Sequence, residues 1–162
     1  MKEMMDQFPN QGKITWIGIR PGKKSQIQPV NDVQLDPDKG ITGDHYSGQS
    51  RKRQVTLIQQ EHLESVASLL NKEKIDPAET RRNIVIKGIN LHAIQDRTFQ
   101  LGQQAILKGT GYCHPCSRME DNLGTGGYNA MQGHGGITAT IIRGGKIQIG
   151  DSVSVVVDEV ES

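Results

Sequence analysis

Cys113 and Cys116 stand three apart in the stretch Tyr112-Cys113-His114-Pro115-Cys116-Ser117-Arg118. Thiols are the most versatile reactive groups in this chain, as nucleophiles once ionised and as soft metal ligands. Four readings are open. A structural zinc or iron–sulfur site needs four ligands. Only His114 is close, between the cysteines, so His134, His45 or another chain would have to complete the set. A thioredoxin-like redox pair opens a helix after a strand in a βαβ unit, a context absent here. The two thiols could also be buried as small hydrophobes. In the fourth reading one of them is a reactive thiolate. Cys116 would precede a short helix over residues 117–122, whose positive end, with Arg118, would favour the ionised form.

Other polar residues admit a functional and a plain reading. His134 lies between Gly133 and Gly135, which would let the backbone approach a ligand closely. His45 follows Gly43-Asp44 on a turn, where a surface histidine is the plainer reading. Arg81-Arg82-Asn83 stands at a helix-to-strand junction. Two arginines there either complement the end of a helix or bind an anion such as phosphate. His62 and His92 read as structural or surface residues.

The elements that must position these residues are mostly strands. Residues 13–19 form the first, ended by Arg20-Pro21-Gly22. Residues 27–35 are extended, followed by turns at 36–40 and 42–44. Residues 53–59 read as a buried strand. Leu63, Val66, Ala67 and Leu70 recur at helical spacing. Asp76-Pro77-Ala78-Glu79 carries a helix-start signal that can run only to about Arg82, because Asn83-Ile84-Val85-Ile86 is a strand. Segments 97–108 and 146–157 share a strand–glycine–strand pattern, which marks bulges or barrel corners. Residues 137–149, broken at Gly144-Gly145, read as a hairpin. The expectation is a single domain over residues 1–162, with a flexible tail at 1–12 and a core at 13–157. Its fold class is mainly β, barrel-like, with one or two helices packed on it.

Eleven of the 19 glycines lie between Gly109 and Gly150, eight of them in Gly109 to Gly136. Such a long stretch without strand periodicity is costly to order unless it serves a function. It holds both cysteines, His114, His134 and Arg118, and is the expected site.

Bulk composition narrows the partners. The chain has 162 residues, with 19 Lys plus Arg against 18 Asp plus Glu, a net charge of +1. That balance argues against binding nucleic acid or a membrane surface by charge. The longest basic run, Arg51-Lys52-Arg53, is too short for a polybasic arm. No window reaches the ~18 apolar residues of a membrane span. The first residues lack the apolar core of a secretion signal, and two cysteines are too few for a disulfide scaffold. The expected compartment is a reducing cytoplasm.

Taken in order, several motifs resemble the molybdenum cofactor sulfurase C-terminal (MOSC) domain family. They are Gly43-Asp44-His45, Arg53 to Glu61, Arg81-Arg82-Asn83-Ile84-Val85-Ile86, Cys113 to Glu120, Gly133-His134-Gly135-Gly136 and Ile149-Gly150-Asp151-Ser152-Val153. The resemblance spans about Gly12 to Val157 and looks closest to small stand-alone bacterial members. It implies a MOSC, or pyruvate-kinase-like, β barrel and one functional cysteine that carries persulfide sulfur or ligates molybdenum in a pterin cofactor. Cys116 to Gly124 matches the stretch after the metal-binding cysteine of amidoxime-reducing members, and Cys113 is extra to that pattern. The resemblance thus implies Cys116 as the metal ligand, with Cys113, Arg118 and His134 as further catalytic candidates. It implies that Arg81, Arg82, Asn83, His45, Thr110, Gly111, Gly133 and Gly135 bind the molybdenum cofactor (molybdopterin). The amidoxime-reducing relatives carry a further N-terminal β domain, whereas about a dozen residues precede the first strand here. No pyridoxal phosphate is expected in this chain alone.

Three functions follow as expectations. One is molybdenum-dependent reduction of a small N-hydroxylated or N-oxide substrate with an external reductase. Another is metal-free sulfur transfer, with Cys116 loaded by a cysteine desulfurase and Cys113 resolving the persulfide. The third is a non-catalytic binding domain with inert, buried cysteines.

Overall fold

Aliphatic and β-branched residues at alternating positions build short strands, and the computed structural model shows how they close. It describes residues 2–22, 25–45 and 51–156; Tyr46, which the sequence reads as part of a turn, and Val157, at the expected end of the core, lie outside them. In chain order the elements are α1 (Lys2–Met5), β1 (Gly12–Ile19), β2 (Gln28–Val30), β3 (Asp32–Asp36), β4 (Gly40–Ile41), β5 (Val55–Gln59), α2 (Gln60–Leu69), β6 (Ile84–Lys87), β7 (Thr98–Leu101), β8 (Ala105–Tyr112), α3 (Arg118–Leu123), α4 (Gly127–Met131), β9 (Ile137–Arg143), β10 (Gly145–Gln148) and β11 (Ser152–Val155). Single 3-10 turns lie at Arg51–Arg53, Pro77–Thr80 and Leu91–Ile94.

Seven strands form a closed barrel in the order β1-β11-β7-β8-β9-β5-β6 and back to β1. All neighbours in it are antiparallel except β5 and β6. β2 extends the ring at the far end of β1, and β10-β3-β4 form a separate small sheet. Closure removes the exposed strand edges that invite aggregation. The barrel core includes Ile14, Ile17, Leu57, Ile84, Phe99, Leu107, Ile137 and Val153. Each such buried aliphatic side chain contributes about 1.5–3 kcal/mol. Outside the wall, Leu63, Val66 and Ala67 of α2 pack with Met119, Leu123, Ala130 and Met131 against Ile58 and Val85.

Three features depart from the sequence reading. Four short helices are present among the described residues, not one or two, because the glycine-rich stretch itself folds into α3 and α4. Glu120 accepts hydrogen bonds from the backbone N–H of Gly126 (2.9 Å) and Tyr128 (3.1 Å), which fixes the start of α4. Second, residues 137–149 are not a hairpin. β10 leaves the barrel and pairs with β3, from Gly145 opposite Leu35 to Gln148 opposite Asp32. Only Gly144 joins β9 to β10, and a Cβ there would lie 2.5 Å from the Leu35 carbonyl oxygen, so the chain crosses directly between sheets. Third, the segment before β1, expected as a loose tail, makes contacts: Asp6 pairs with Arg97 at 2.8 Å and Phe8 packs against the core.

The glycine-rich loop is ordered by one buried cation. Arg82, 5% exposed, donates from Nε to the Gly135 carbonyl (2.8 Å) and from Nη1 to Thr80 (3.0 Å). Its Nη2 reaches the carbonyls of Cys113 (3.4 Å) and His114 (3.5 Å). Two glycines make the approach possible. A Cβ at Gly135 would lie 2.2 Å from the Cys113 oxygen, and one at Gly136 would lie 1.9 Å from the Leu57 oxygen. The loop's two ends thus lie against each other, and Gly136 lies flush on β5 of the barrel wall.

Replacing Arg82 by Met leaves these buried carbonyls without donors, each costing about 1–3 kcal/mol. We expect a loss of at least about 3 kcal/mol in urea unfolding and a midpoint lowered by about 6–12 °C in thermal melts. An unchanged midpoint would mean that the loop orders without this side chain.

Candidate functional site

Barrel register brings the chemistry-bearing segments to one region. Ile17, Ile84, Leu57, Ile137 and Tyr112 are successive partners across β1, β6, β5, β9 and β8. Arg20, Arg53, Arg81 to Asn83, Cys113, Gly135 and Cys116 each lie within four residues of that rung.

The two cysteines are free and differ in exposure: Cys113 is buried and Cys116 exposed. Residues 113 to 116 alternate buried and exposed, so the loop covers one thiol and leaves the other in solvent. The reading of two buried thiols therefore holds for Cys113 only. The Cys113 sulfur lies 3.8 Å from Arg53 Nη2. α3 begins after Ser117, close to the expected helix, and Met119 donates its N–H to the Cys116 carbonyl at 3.0 Å. Among the described residues, no three of His, Cys, Asp and Glu are grouped to hold a metal ion.

Arg81 interacts with the exposed thiol and is itself crowded by Arg20 and Arg118. Arg81 sits in the left-handed conformation, φ 61°, at the end of the 3-10 turn Pro77–Thr80. This turn starts as the sequence indicates, with Asp76 accepting the Ala78 N–H at 3.0 Å. Burial, followed by the neighbouring cations Arg20 and Arg118, holds the Arg81 guanidinium below its ordinary value, while Cys116 and Asp44 oppose that shift. Arg20 Nε and Arg81 Nη2 are both buried without a hydrogen-bond partner. Unpaired buried donors on crowded cations favour an incoming anion, because it relieves both the desolvation and the mutual repulsion. Arg81 also borders a cavity of about 610 Å³ lined by Trp16, Gln26, Ile27, Pro29, Asp76, Ala78, Glu79 and Asn122.

Several residues expected to bind a cofactor have other partners. Arg82 is the loop clamp; burial pushes its guanidinium below its ordinary value, and Cys113 and Cys116 push it back up. Asn83 is buried with both ends of its amide engaged. Nδ2 donates to the Gly18 carbonyl (3.1 Å) and Asp44 Oδ1 (3.3 Å), and Oδ1 accepts from the Thr56 N–H (3.2 Å) and hydroxyl (3.1 Å). Asp44 Oδ1 in turn accepts the Arg20 N–H at 2.7 Å. Asn83 therefore knits β1 and β5 and, with Asp44, sets where Arg20 emerges. Thr110 donates to the Lys52 carbonyl and shares a 2.8 Å hydrogen bond with the Thr138 hydroxyl. Gly135 admits Arg82 and Cys113, not a ligand. The contacts of these four residues hold the site's segments together.

The remaining candidates lie apart or open. His45 is half-buried, its N–H on the Arg20 carbonyl. Gly111 and Gly133 have φ of 137° and 81° with open space where a Cβ would be. His134 hydrogen-bonds the Ala130 carbonyl oxygen through Nδ1 (3.0 Å) and stacks edge-on with His62. Sequence reading missed Arg20, Asp44 and Arg53 as site residues. Arg20 lies in an Arg-Pro-Gly turn whose only local signal is the end of a strand.

Comparison with known proteins fits this geometry. A family model described as the MOSC domain matches residues 40–154. No curated protein sequence matches the chain. The crystal structure of YuaD from Bacillus subtilis is similar with a TM-score of 0.79 and 18% identity, covering 92% of this chain and 98% of that one. YiiM from Escherichia coli is similar at 0.69 and 18%, covering 93% and 71%. YiiM from Geobacillus stearothermophilus is similar at 0.72 and 14%, covering 93% and 77%. Those structures share the barrel, and the family match runs from β4 through the arginine turn and the thiol loop to β11: the chain belongs to the MOSC domain family.

Proposed function

We propose that this protein binds a molybdenum pterin cofactor, with Cys116 as the thiolate ligand, and reduces small N-hydroxylated or N-oxide compounds. The observation that carries this reading is an exposed thiol that interacts with Arg81, a cation crowded by Arg20 and Arg118; Arg20 and Arg81 each hold a buried nitrogen without a partner. The residues fit the group. A soft thiolate suits molybdenum. Guanidinium groups suit a pterin phosphate, which they bind in bidentate fashion. Arg81 and Arg20 would hold that phosphate, with Arg118 beside them. Arg82, Asn83 and Asp44 keep these groups in place through the contacts above. When bound, the cofactor would supply the two-electron chemistry of oxygen removal, with electrons from an external reductase.

A second reading, metal-free sulfur transfer, is favoured by the exposure of Cys116 alone. A desulfurase partner could load that thiol. Cys113 would resolve the persulfide only after the loop moved to expose it, since it is now buried.

Protein purified from cells that make the cofactor should carry molybdenum, and Cys116→Ser should lose it. Elemental analysis giving no metal in the wild type, or equal metal in both, removes the lead reading. Loading with a cysteine desulfurase and finding no added sulfur on Cys116 by intact mass removes the second.

Arg81→Gly separates binding from folding. Relief of the left-handed strain offsets the extra freedom of an unfolded glycine, so stability should change by less than about 1 kcal/mol. Loss of the charged contact should weaken pterin retention by about 10–100-fold, read from pterin fluorescence per chain after dialysis. Full retention in this variant would place the phosphate elsewhere.

A further inference from the structure

Three histidines far apart in the chain meet behind the thiol loop. His62 comes from α2, His92 from the 3-10 turn Leu91–Ile94, and His134 from the residues between α4 and β9. The His62 ring centroid lies 5.1 Å from that of His92, with the planes at 66°, and 5.1 Å from that of His134, at 77°. Tyr112, the last residue of β8, meets His92 edge-on at 4.9 Å. His62 Nδ1 is buried without a hydrogen-bond partner. Edge-on contact suits neutral rings. A proton on His62 Nδ1 would therefore sit buried with no hydrogen-bond partner.

The surroundings deepen that asymmetry. Burial, then His92 and His134, lowers the His62 pKa from its ordinary value, and Glu61 is the charged group that opposes them. The Glu61 carboxylate is engaged elsewhere, accepting the Gly88 N–H at 3.0 Å. Burial and His134 lower His92 as well. The donors are not grouped as metal ligands.

What the cluster touches gives it a task. Tyr112 runs directly into Cys113, and His134 into Gly135. Arg82 grips the carbonyls of Cys113 and Gly135 from within. The aromatic contacts hold the same two chain segments through the residues just before them.

We propose that His62, His92 and His134 form an acid-sensitive latch on the thiol loop: the neutral rings hold Tyr112 and His134 in place, and proton uptake parts the rings and uncovers Cys113. Once the loop opens, His62 and His92 take up protons near pH ~6.5, whereas in the closed cluster both resist them to lower pH. The closed form is therefore fully favoured above pH ~6.5 and loses ground as the pH falls below it. The latch involves no cofactor and stands independently of the molybdenum and sulfur-transfer readings.

Labelling by a pyridyl disulfide, with Cys113 and Cys116 resolved by peptide mass spectrometry, tests this. The Cys113-to-Cys116 labelling ratio in the wild type should rise about tenfold between about pH 7.5 and 5.5. In His62→Gln it should stay nearly flat. A constant ratio in the wild type, or the same rise in the variant, overturns the latch. Should the variant fail to fold, ring NMR of the wild type decides. His62 and His92 titrating together below pH ~6.5, with the Tyr112 ring shifting over the same range, is the expected result. Independent titrations near pH ~6.5 with Tyr112 unmoved overturn it.

Discussion

A guanidinium closed off from water must direct its five donors at acceptors, since an unpaired buried donor costs about 1–3 kcal/mol. Arg82 meets that demand with carbonyls from three separate stretches of chain: Thr80 before it, Cys113 and His114 after β8, and Gly135 before β9. The thiol loop has no sheet of its own to satisfy those carbonyls. Ordering each of its residues costs about 1–2 kcal/mol in backbone entropy, and its glycines cost more than most. The clamp and the close seating of Gly135 and Gly136 supply the opposing contacts. Where Cys113 is buried and where Cys116 emerges both follow from this attachment.

The neighbouring arginine has the opposite fate, and one backbone angle separates them. Left-handed φ at a helix end is usually left to glycine. Here it falls on Arg81, at a strain of roughly 1–2 kcal/mol. The reversal ends the 3-10 turn and lets consecutive side chains diverge. Arg82 goes into the wall, while Arg81 borders a cavity together with Trp16 and Asn122. Strain retained at a cationic side chain with an unpartnered nitrogen is evidence that the side chain is needed for something other than folding.

Local signals carried much of the architecture. The alternation around Val55 and Leu57, the helical spacing of Leu63, Val66 and Ala67, and the Asp76-Pro77 start each depend on a few adjacent residues, and each appears in the structure. Glycine content marked the loop as special for the same reason. What the sequence hid is non-local. Gly144-Gly145 has the look of a hairpin turn, but β10's partner, β3, lies over a hundred residues earlier, and nothing near Gly144 announces it. Arg82 and Asn83 look like ligand contacts because arginine and asparagine often are. Their true partners, Gly135 and Gly18, come within reach only when the barrel closes. His62 and His92 were unremarkable singly, and only the fold makes them neighbours of His134.

The spacing of the cysteines shows why motif and backbone must be read together. On a helix, residues three apart share a face, and such a pair can grip a metal or close a disulfide. Here the loop after β8 is not helical, and the same spacing leaves one thiol buried and one exposed. That arrangement leaves a single exposed thiol, with Arg81 acting on it. It also gives the buried thiol a separate meaning. Cys113 can join the chemistry of Cys116 only if the loop lifts, a movement that the Arg82 clamp opposes and the proposed histidine latch would gate.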